Sequence, residues 1–359
     1  MSKKKVAIIG ATGIAGQQFI AALPHHPDFE VTALAASSRS AGKSYRDALR
    51  EPSGAIGWWC DEPLDEALAQ MPVVDAETFD AARVDIVFTA VESDAAKVLE
   101  PKYAQTTPVI STASAFRYFD DVPIIIPGVN NEHAALLKKQ QKERGWKGFV
   151  TPIPNCTTTG LAMTLKPLHD AFGIHSVIMT SMQAMSGAGR RGGVIGLDAV
   201  DNIIPYIPNE EEKVQKETQK ILGKMNDGGI APAPFPVSAT CTRVAVLDGH
   251  TEAVYVATQE RCSADEAARV MREFKGNLDG LPSVPEPLIF VHDDPFRPQP
   301  RRDRDLNGGM TTAVGRLREE KTLGPHGVKY VLVSHNTKMG AAKGAILVAE
   351  LLVRDGYIR

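Results

Sequence analysis

The sequence predicts an α/β protein of two domains, the first of them a doubly wound sheet, and three observations predict it. A chain of 359 residues exceeds the usual size of a single core. Short apolar runs alternate with amphipathic helical stretches from Lys5 to Arg144, the pattern of strands crossed by helices. The first run, Lys5-Val6-Ala7-Ile8-Ile9, leads at once into Gly10-Ala11-Thr12-Gly13-Ile14-Ala15-Gly16 and a helical pattern from Gln17 to Leu23.

Composition removes several function classes. A net charge of -3 argues against general nucleic-acid binding, which needs a strongly basic face. No apolar stretch is long enough to span a bilayer, and the start lacks the apolar core of a signal peptide. Cys60, Cys156, Cys241 and Cys262 are scattered without a Cys-x-x-Cys pair, so neither a disulfide framework nor a metal site is expected. The expectation is a cytoplasmic protein that binds neither membrane nor nucleic acid.

Along the first domain, Lys5–Ile9 suits a strand buried on both faces. The glycines after it have GxxGxxG spacing and serve a tight turn, close approach to a pyrophosphate and helix–strand packing. They fit a dinucleotide cradle in which Gly10, Thr12, Gly13 and Ile14 meet the cofactor; a tight βα turn that binds nothing is the other reading. Val31–Ala36 is the second strand, followed by Ser37, Ser38, Arg39, Ser40 and then Gly42-Lys43. Hydroxyls and a guanidinium suit a 2′-phosphate and no carboxylate repels it, which favours NADP over NAD unless Arg39 is incidental. Val84–Thr89 and Pro108–Ser111 read as strands, 94–105 and 132–144 as helices, and Pro123–Pro127 as an apolar run. Arg117 follows a strand's C-terminal end, where such sheets bind ligands; it reads as a phosphate clamp or as a surface charge.

In Gly148–Ile153, Pro154-Asn155-Cys156 and the helical spacing from Gly160 to Ala171, a strand, a turn and a helix follow one another. A helix N-terminus favours an anion and draws a thiol toward thiolate, so Cys156 is a candidate nucleophile; the alternative is a small buried hydrophobe. Strand-like His175–Met182 leads into the glycine-rich Gln183–Gly189, a source of backbone donors. Asp248-Gly249 reads as a hairpin turn that would set His250 on a strand antiparallel to Arg243. His250 is there a proton carrier for the thiol or an ordinary turn histidine. Glu210-Glu211-Glu212-Lys213, by itself, reads as a solvated helix start.

GATGIAG, SAFRYFDDVP, PNCTTTG, MQAMSGAG, EEEKVQKETQKILG, CTRVAVLDGHTEAV, RPQPRRDRD and HNTKMGAAKGAILVAELL occur in this order over nearly the whole chain. Together they resemble the aspartate-β-semialdehyde dehydrogenase family, in its archaeal and fungal branch. The resemblance implies a Rossmann-like domain over 1–153, completed by a C-terminal helical segment 336–359. It implies an α+β catalytic and dimerisation domain with a mixed sheet over 154–335. It makes Cys156 the nucleophile, His250 the acid/base and Gln183 the group that orients the acyl carbonyl. Arg243 matches the partner of the substrate α-carboxylate and Glu210 that of its amino group. Lys213 and Arg117 match the phosphate pair, and Asn155 joins the substrate contacts. Ser186, Gly187, Gly189 and Asn336 match the nicotinamide side. The substrates implied are L-aspartate 4-semialdehyde and phosphate, the product 4-phospho-L-aspartate, and the reductive direction feeds lysine, threonine and methionine synthesis. A homodimer or homotetramer is expected. Arg190-Arg191-Gly192-Gly193 stands where the family has an aromatic-proline pair. An acyl-CoA or malonyl-CoA reductase on the same scaffold would use the same Cys/His chemistry, and in a non-catalytic NADP-binding redox sensor Cys156 would be a regulatory thiol.

Overall fold

The computed structural model describes residues 2–188, 195–226 and 228–359. Six strands build the first sheet: β1 Lys4–Ile9, β2 Phe29–Ala36, β3 Val73–Asp75, β4 Ile86–Thr89, β5 Val109–Ser111 and β6 Val150–Pro152. They run parallel in the order β3-β2-β1-β4-β5-β6. Val6 to Ile9 are wholly buried, as a central strand covered on both faces requires. Helices α1 Ile14–Ala22, α2 Ser93–Ala104 and α3 Leu136–Arg144 accompany this sheet. The strand order reverses between β1 and β4, so the crevice where such sheets take ligands opens beside Gly10. Pro123–Pro127 joins no strand, although Ile124, Ile125 and Ile126 are all buried.

Gly10 and Gly16 show why this turn needs glycine. Gly10 has φ +82°, and a Cβ there would lie 2.3 Å from the Ala90 carbonyl oxygen. A Cβ on Gly16 would lie 2.2 Å from the Gly10 carbonyl oxygen. Both sites are closed to any side chain, so helix and strand approach at backbone distance.

The second sheet is mixed. It contains β7 Ile174–Gln183, and, after the small hairpin β8 Lys224–Asn226 and β9 Gly229–Ala231, the strands β10 Val237–Arg243, β11 His250–Thr258, β12 Ile289–Val291, β13 Thr312–Glu319 and β14 Gly327–Ser334. Their order is β10-β7-β11-β14-β13-β12. This corrects the hairpin expected at Asp248-Gly249: β10 and β11 are not neighbours, because β7 lies between them. A two-residue turn joins adjacent strands about 4.8 Å apart and cannot step over a third. The connection crosses the end of β7 instead, with Val244 N–H donating to Gln183 O (3.0 Å) and Met185 N–H to Val246 O (2.7 Å).

Helix α4, Cys156–Phe172, lies against the inner face of this sheet and touches β7, β11, β13 and β14. It starts four residues before Gly160, where the apolar spacing begins, because Asn155 caps it ahead of the three threonines. Helix α5 is Glu210–Ile221, and α6 is Lys343–Arg354, preceded by a π-turn at 338–342. Helix α6 packs on α1 and β5 of the first sheet. Its Glu350 bonds His26 Nε2 (2.7 Å) on the nucleotide side and accepts from Ser283 N (3.1 Å) on the other, which ties the two halves together. Among the described residues, no helix is long and apolar enough to cross a membrane.

Candidate active site

The register of four strands builds the floor of the site. Arg243 on β10 pairs with Gln183 on β7, and His250 on β11 pairs with Ser334 on β14. Because Thr251 faces Met182, His250 stands beside Gln183. One row across the sheet therefore carries Arg243, Gln183, His250 and Ser334, all buried on the inner face. The row beneath holds Cys241, Ser181 and Glu252. Glu252 is wholly buried and neither of its oxygens has a partner among the described residues; burial pushes its carboxyl well above the usual range.

Helix α4 brings the thiol onto this floor. Asn155 Oδ1 accepts from the N–H groups of Thr157 (2.9 Å) and Thr158 (3.3 Å), so Cys156 is held as the first helical residue. Its Sγ lies 3.2 Å from His250 Nε2. The Ala184 N–H donates to His250 Nδ1 at 3.1 Å, which leaves Nε2 as the protonated nitrogen of the neutral ring. Burial, with Arg243 and His335 nearby, pushes the His250 pKa down to about 3 and keeps the ring neutral. Burial also pushes the Cys156 thiol up to about 12, and Glu210 adds to this; Arg117, Arg243 and the Thr157 N–H pull the other way. The pair thus stands as thiol and neutral imidazole, with cationic partners placed to stabilise a thiolate.

Both carboxylates that face inward from α5 act on Asn155. Glu210 Oε1 accepts from Asn155 Nδ2 (2.7 Å) and Gln183 Nε2 (3.2 Å), while Lys213 Nζ lies 3.6 Å from Glu210 Oε2. This corrects the solvated reading of the helix start: Glu210 is buried. The sequence reading missed Glu217, which is wholly buried and accepts from Asn155 N–H (2.6 Å), Arg117 Nη1 (3.0 Å) and Tyr118 OH (3.1 Å). Its signal was present, since Glu210 and Glu217 fall in phase with buried Val214, Thr218 and Ile221 on one helical face. Arg117 is buried, gives a second bond to Thr112 O (3.0 Å), and keeps a buried Nε with no partner among the described residues. Arg243 Nη1 bonds Ala184 O (2.7 Å).

The cofactor-side residues fall on both domains. Gly10, Thr12, Gly13 and Ile14 form the turn into α1, whose N-cap Gly13 offers no side-chain cap. Ser37, Ser38 and Arg39 are exposed just past the end of β2. Asn336 is buried: its Oδ1 accepts from Gly249 N (2.8 Å) and its Nδ2 donates to Ser186 Oγ (2.8 Å). It thereby fixes the chain entering His250 to the 185–188 turn. A Cβ on Gly187 would lie 3.0 Å from Arg243 Nη1 and 3.1 Å from His250 Cε1, so this turn sits directly over the row. Gly189 and Arg190–Gly193 lie outside the described residues. Gly340 of the C-terminal segment reaches the Cys156 corner, where a Cβ would be 3.0 Å from Cys156 Cβ. Among the described residues no group of His, Cys, Asp and Glu is placed to hold a metal.

Asn155→Ala removes the cap of α4 and one of the donors to Glu210. The expected result is a loss of about 1–2 kcal/mol in unfolding free energy, checked by urea denaturation of the purified variant.

A glycine turn at the switch point of a parallel sheet, joined to a mixed sheet whose imidazole meets the thiol of α4, fits the class of two-domain, nucleotide-dependent dehydrogenases. Comparison with known proteins narrows it. The semialdehyde dehydrogenase NAD binding domain profile matches residues 5–137 and the semialdehyde dehydrogenase dimerisation domain profile matches 165–339. The aspartate-semialdehyde dehydrogenase of Methanothermobacter thermautotrophicus is 46% identical over 97% of this chain and 98% of its own. The Candida albicans aspartate semialdehyde dehydrogenase solved with NADP superposes with a TM-score of 0.88 at 40% identity, covering 99% of this chain and 100% of its own. The Vibrio cholerae aspartate semialdehyde dehydrogenase II complexed with ASA gives 0.75 at 28% identity, covering 99% of each chain. This chain belongs to the aspartate-semialdehyde dehydrogenase family.

Proposed function

We propose that the chain interconverts L-aspartate 4-semialdehyde plus phosphate and 4-phospho-L-aspartate with NADP, through a thioester on Cys156. The observation that carries the reading is the Sγ–Nε2 contact flanked by two cationic side chains, Arg117 from the loop after β5 and Arg243 from β10. Arg117 and Arg243 both act on the thiol. Two anchors fit a substrate with an anion at each end, an α-carboxylate and an incoming phosphate. Arg243 takes the carboxylate and Glu210 the amino group. Arg117, with its unpartnered Nε, and Lys213 take the phosphate.

The chain's residues fit NADP. Gly10 and Gly16 leave backbone-only clearance, the α1 N-terminus is uncapped by side chains, and no carboxylate stands at Ser37–Arg39 to repel a 2′-phosphate. Bound NADP accepts the hydride. The rest is the work of the protein. The Cys156 thiol releases its proton to water, the change that Arg117, Arg243 and the Thr157 N–H favour, and the thiolate adds to the aldehyde carbon, forming the C–S bond while the carbonyl electron pair moves onto oxygen. His250 Nε2–H, held as a donor by the Ala184 N–H at its other nitrogen, faces that oxygen and the sulfur. Gln183 and Glu210, bonded to each other, fix the floor that orients the acyl carbonyl. After hydride loss, a phosphate oxygen attacks the thioester carbon, the C–S bond breaks, and sulfur leaves as thiolate toward the same His250 donor. Ser186, Gly187 and Asn336 border the nicotinamide side.

We assign 1–153 with 336–359 to nucleotide binding and 154–335 to catalysis and self-association, as a homodimer or homotetramer. Ile178 and Tyr255, opposite each other on the outer face of the second sheet, are both more than a third exposed and supply an apolar patch for it. Four free cysteines suit a reducing cytoplasm.

Purified protein is expected to reduce NADP with L-aspartate 4-semialdehyde only when phosphate is present, faster than it reduces NAD, and to leave malonyl-CoA unreduced with NADPH. Turnover of malonyl-CoA without phosphate-dependent aldehyde oxidation would assign the scaffold to a CoA-acyl reductase instead.

A further inference from the structure

Glu217 carries no role in the reading above, yet it accepts three hydrogen bonds beside the thiol. Its side chain is wholly buried, and all its partners belong to the two loops that meet at the site. One oxygen accepts from Arg117 Nη1 and from Tyr118 OH, both in the loop that follows β5 of the first sheet. The other accepts the backbone N–H of Asn155, the residue that caps α4 immediately before Cys156, at 2.6 Å. Asn155 is gripped a second time from the same helix, since Glu210, about two turns earlier, holds its side-chain amide.

This arrangement does two things that an ordinary ion pair does not. Arg117 is oriented by two bonds, to Glu217 and to Thr112 O, and its Nε stays buried and without a partner among the described residues. A buried N–H left unpaired is unfavourable, and an oxyanion in the pocket is the partner it lacks. At the same time the carboxylate fixes the backbone at the corner on which the sulfur stands. Lys220, on the next turn of α5, donates to the carbonyls of Arg117 (2.9 Å) and Phe119 (2.8 Å), so this helix holds the loop at its backbone as well.

We infer that Glu217 is a positioning residue that couples the oxyanion anchor to the nucleophile: it sets Arg117 and the Asn155–Cys156 corner against one another and touches no reacting atom. The inference rests on the proposed phosphate role of Arg117. Binding of phosphate at Arg117 is then felt at Cys156 through one carboxylate, and a side chain able to satisfy only one of the two donors uncouples them. Glutamine is such a side chain, because its single carbonyl cannot serve both Arg117 and Asn155 N–H, and its amide turns a donor toward one of them.

In Glu217→Gln, the KM for phosphate is expected to rise at least about fivefold and kcat to fall about 10- to 100-fold. The KM for the aldehyde, whose carboxylate lies on Arg243, and the affinity for NADP are expected to stay within about twofold. A merely structural role would lower active-enzyme content and leave the phosphate KM where it was. A phosphate KM unchanged in a folded variant therefore overturns the inference. If Glu217→Gln does not fold, Glu217→Asp keeps the charge but is too short to meet both donors, and the same split is expected in smaller measure. A second arm needs no turnover: the rate at which iodoacetamide alkylates Cys156, read by mass spectrometry with and without inorganic phosphate. Phosphate is expected to change that rate in the unmodified protein and not in Glu217→Gln. A phosphate response equal in both, or absent from both, overturns the coupling. Should the aldehyde prove not to be a substrate while the alkylation difference holds, the functional reading fails and the coupling stands.

Discussion

Cys156→Ala is expected to lower phosphate-dependent NADP reduction by about 10⁴-fold or more while the protein stays folded and still binds NADP. The magnitude follows from what the sulfur does. A thioester conserves the energy of oxidation for transfer to phosphate, and no other group on the floor can form one. Cys241 is buried and faces Ser181 and Glu252 a row below, and burial pushes its thiol up to about 12. Cys60 and Cys262 have no imidazole against them among the described contacts, and burial pushes both thiols up to about 12 as well. The stability change is expected to be small, because Cys156 is only half-buried and its helix is capped by Asn155 whatever stands at 156. Stopped assays at high enzyme concentration, with calorimetry on the same sample, separate loss of chemistry from loss of fold. Residual turnover above about one per cent, once wild-type contamination is removed, would sink the covalent mechanism.

The sequence made this residue legible and left most of its surroundings hidden, for physical reasons that differ by residue. Cys156 shows because strand, turn and helix are contiguous there, and the position of a helix start depends on local signals. Gly10 and Gly16 show for the same reason: one βα turn holds the whole device. The floor row does not show. Arg243, Gln183 and His250 become neighbours only through the register of β10, β7 and β11, and that register requires β7 to insert between strands that are successive in the chain. Reading Asp248-Gly249 as a hairpin assumed that neighbours in sequence pair, which holds often but not where an earlier strand takes the middle. Glu210 and Glu217 were hidden by their company. In Glu210-Glu211-Glu212-Lys213-Val214-Gln215-Lys216-Glu217 the charge looks solvated on average, whereas the two acids in phase with Val214 and Ile221 are the buried ones. Composition averages a helix over its faces; the site uses only one.

His250 is expected to be the second most costly residue to lose, and two substitutions decide how it works. His250→Ala removes the donor facing the sulfur and is expected to lower kcat by about 10²- to 10⁴-fold. His250→Gln places an amide N–H near the position of Nε2 but cannot carry a proton. The Ala184 N–H bond fixes the neutral ring with its proton on Nε2, so hydrogen-bond donation to sulfur and oxyanion is the role this geometry supports. His250→Gln is then expected to keep at least about tenfold more activity than His250→Ala. Equal loss in both would show instead that the proton itself must move. The pH dependence gives an independent reading. The folded pKa of His250, about 3, lies below that of an unfolded histidine, about 6.5, so between these values the unfolded chain binds the extra proton. Stability therefore falls as pH drops below about 6.5, and His250 contributes to that fall. His335, buried and pushed down to about 4, acts in the same sense. Replacing His250 with glutamine is expected to make the decline in unfolding free energy between pH 6.5 and 4.5 shallower without removing it, because His335 remains. Chemical denaturation across that range checks it. An unchanged slope would mean that the ring takes up a proton in the folded protein, and the neutral donor would have to give way to an imidazolium.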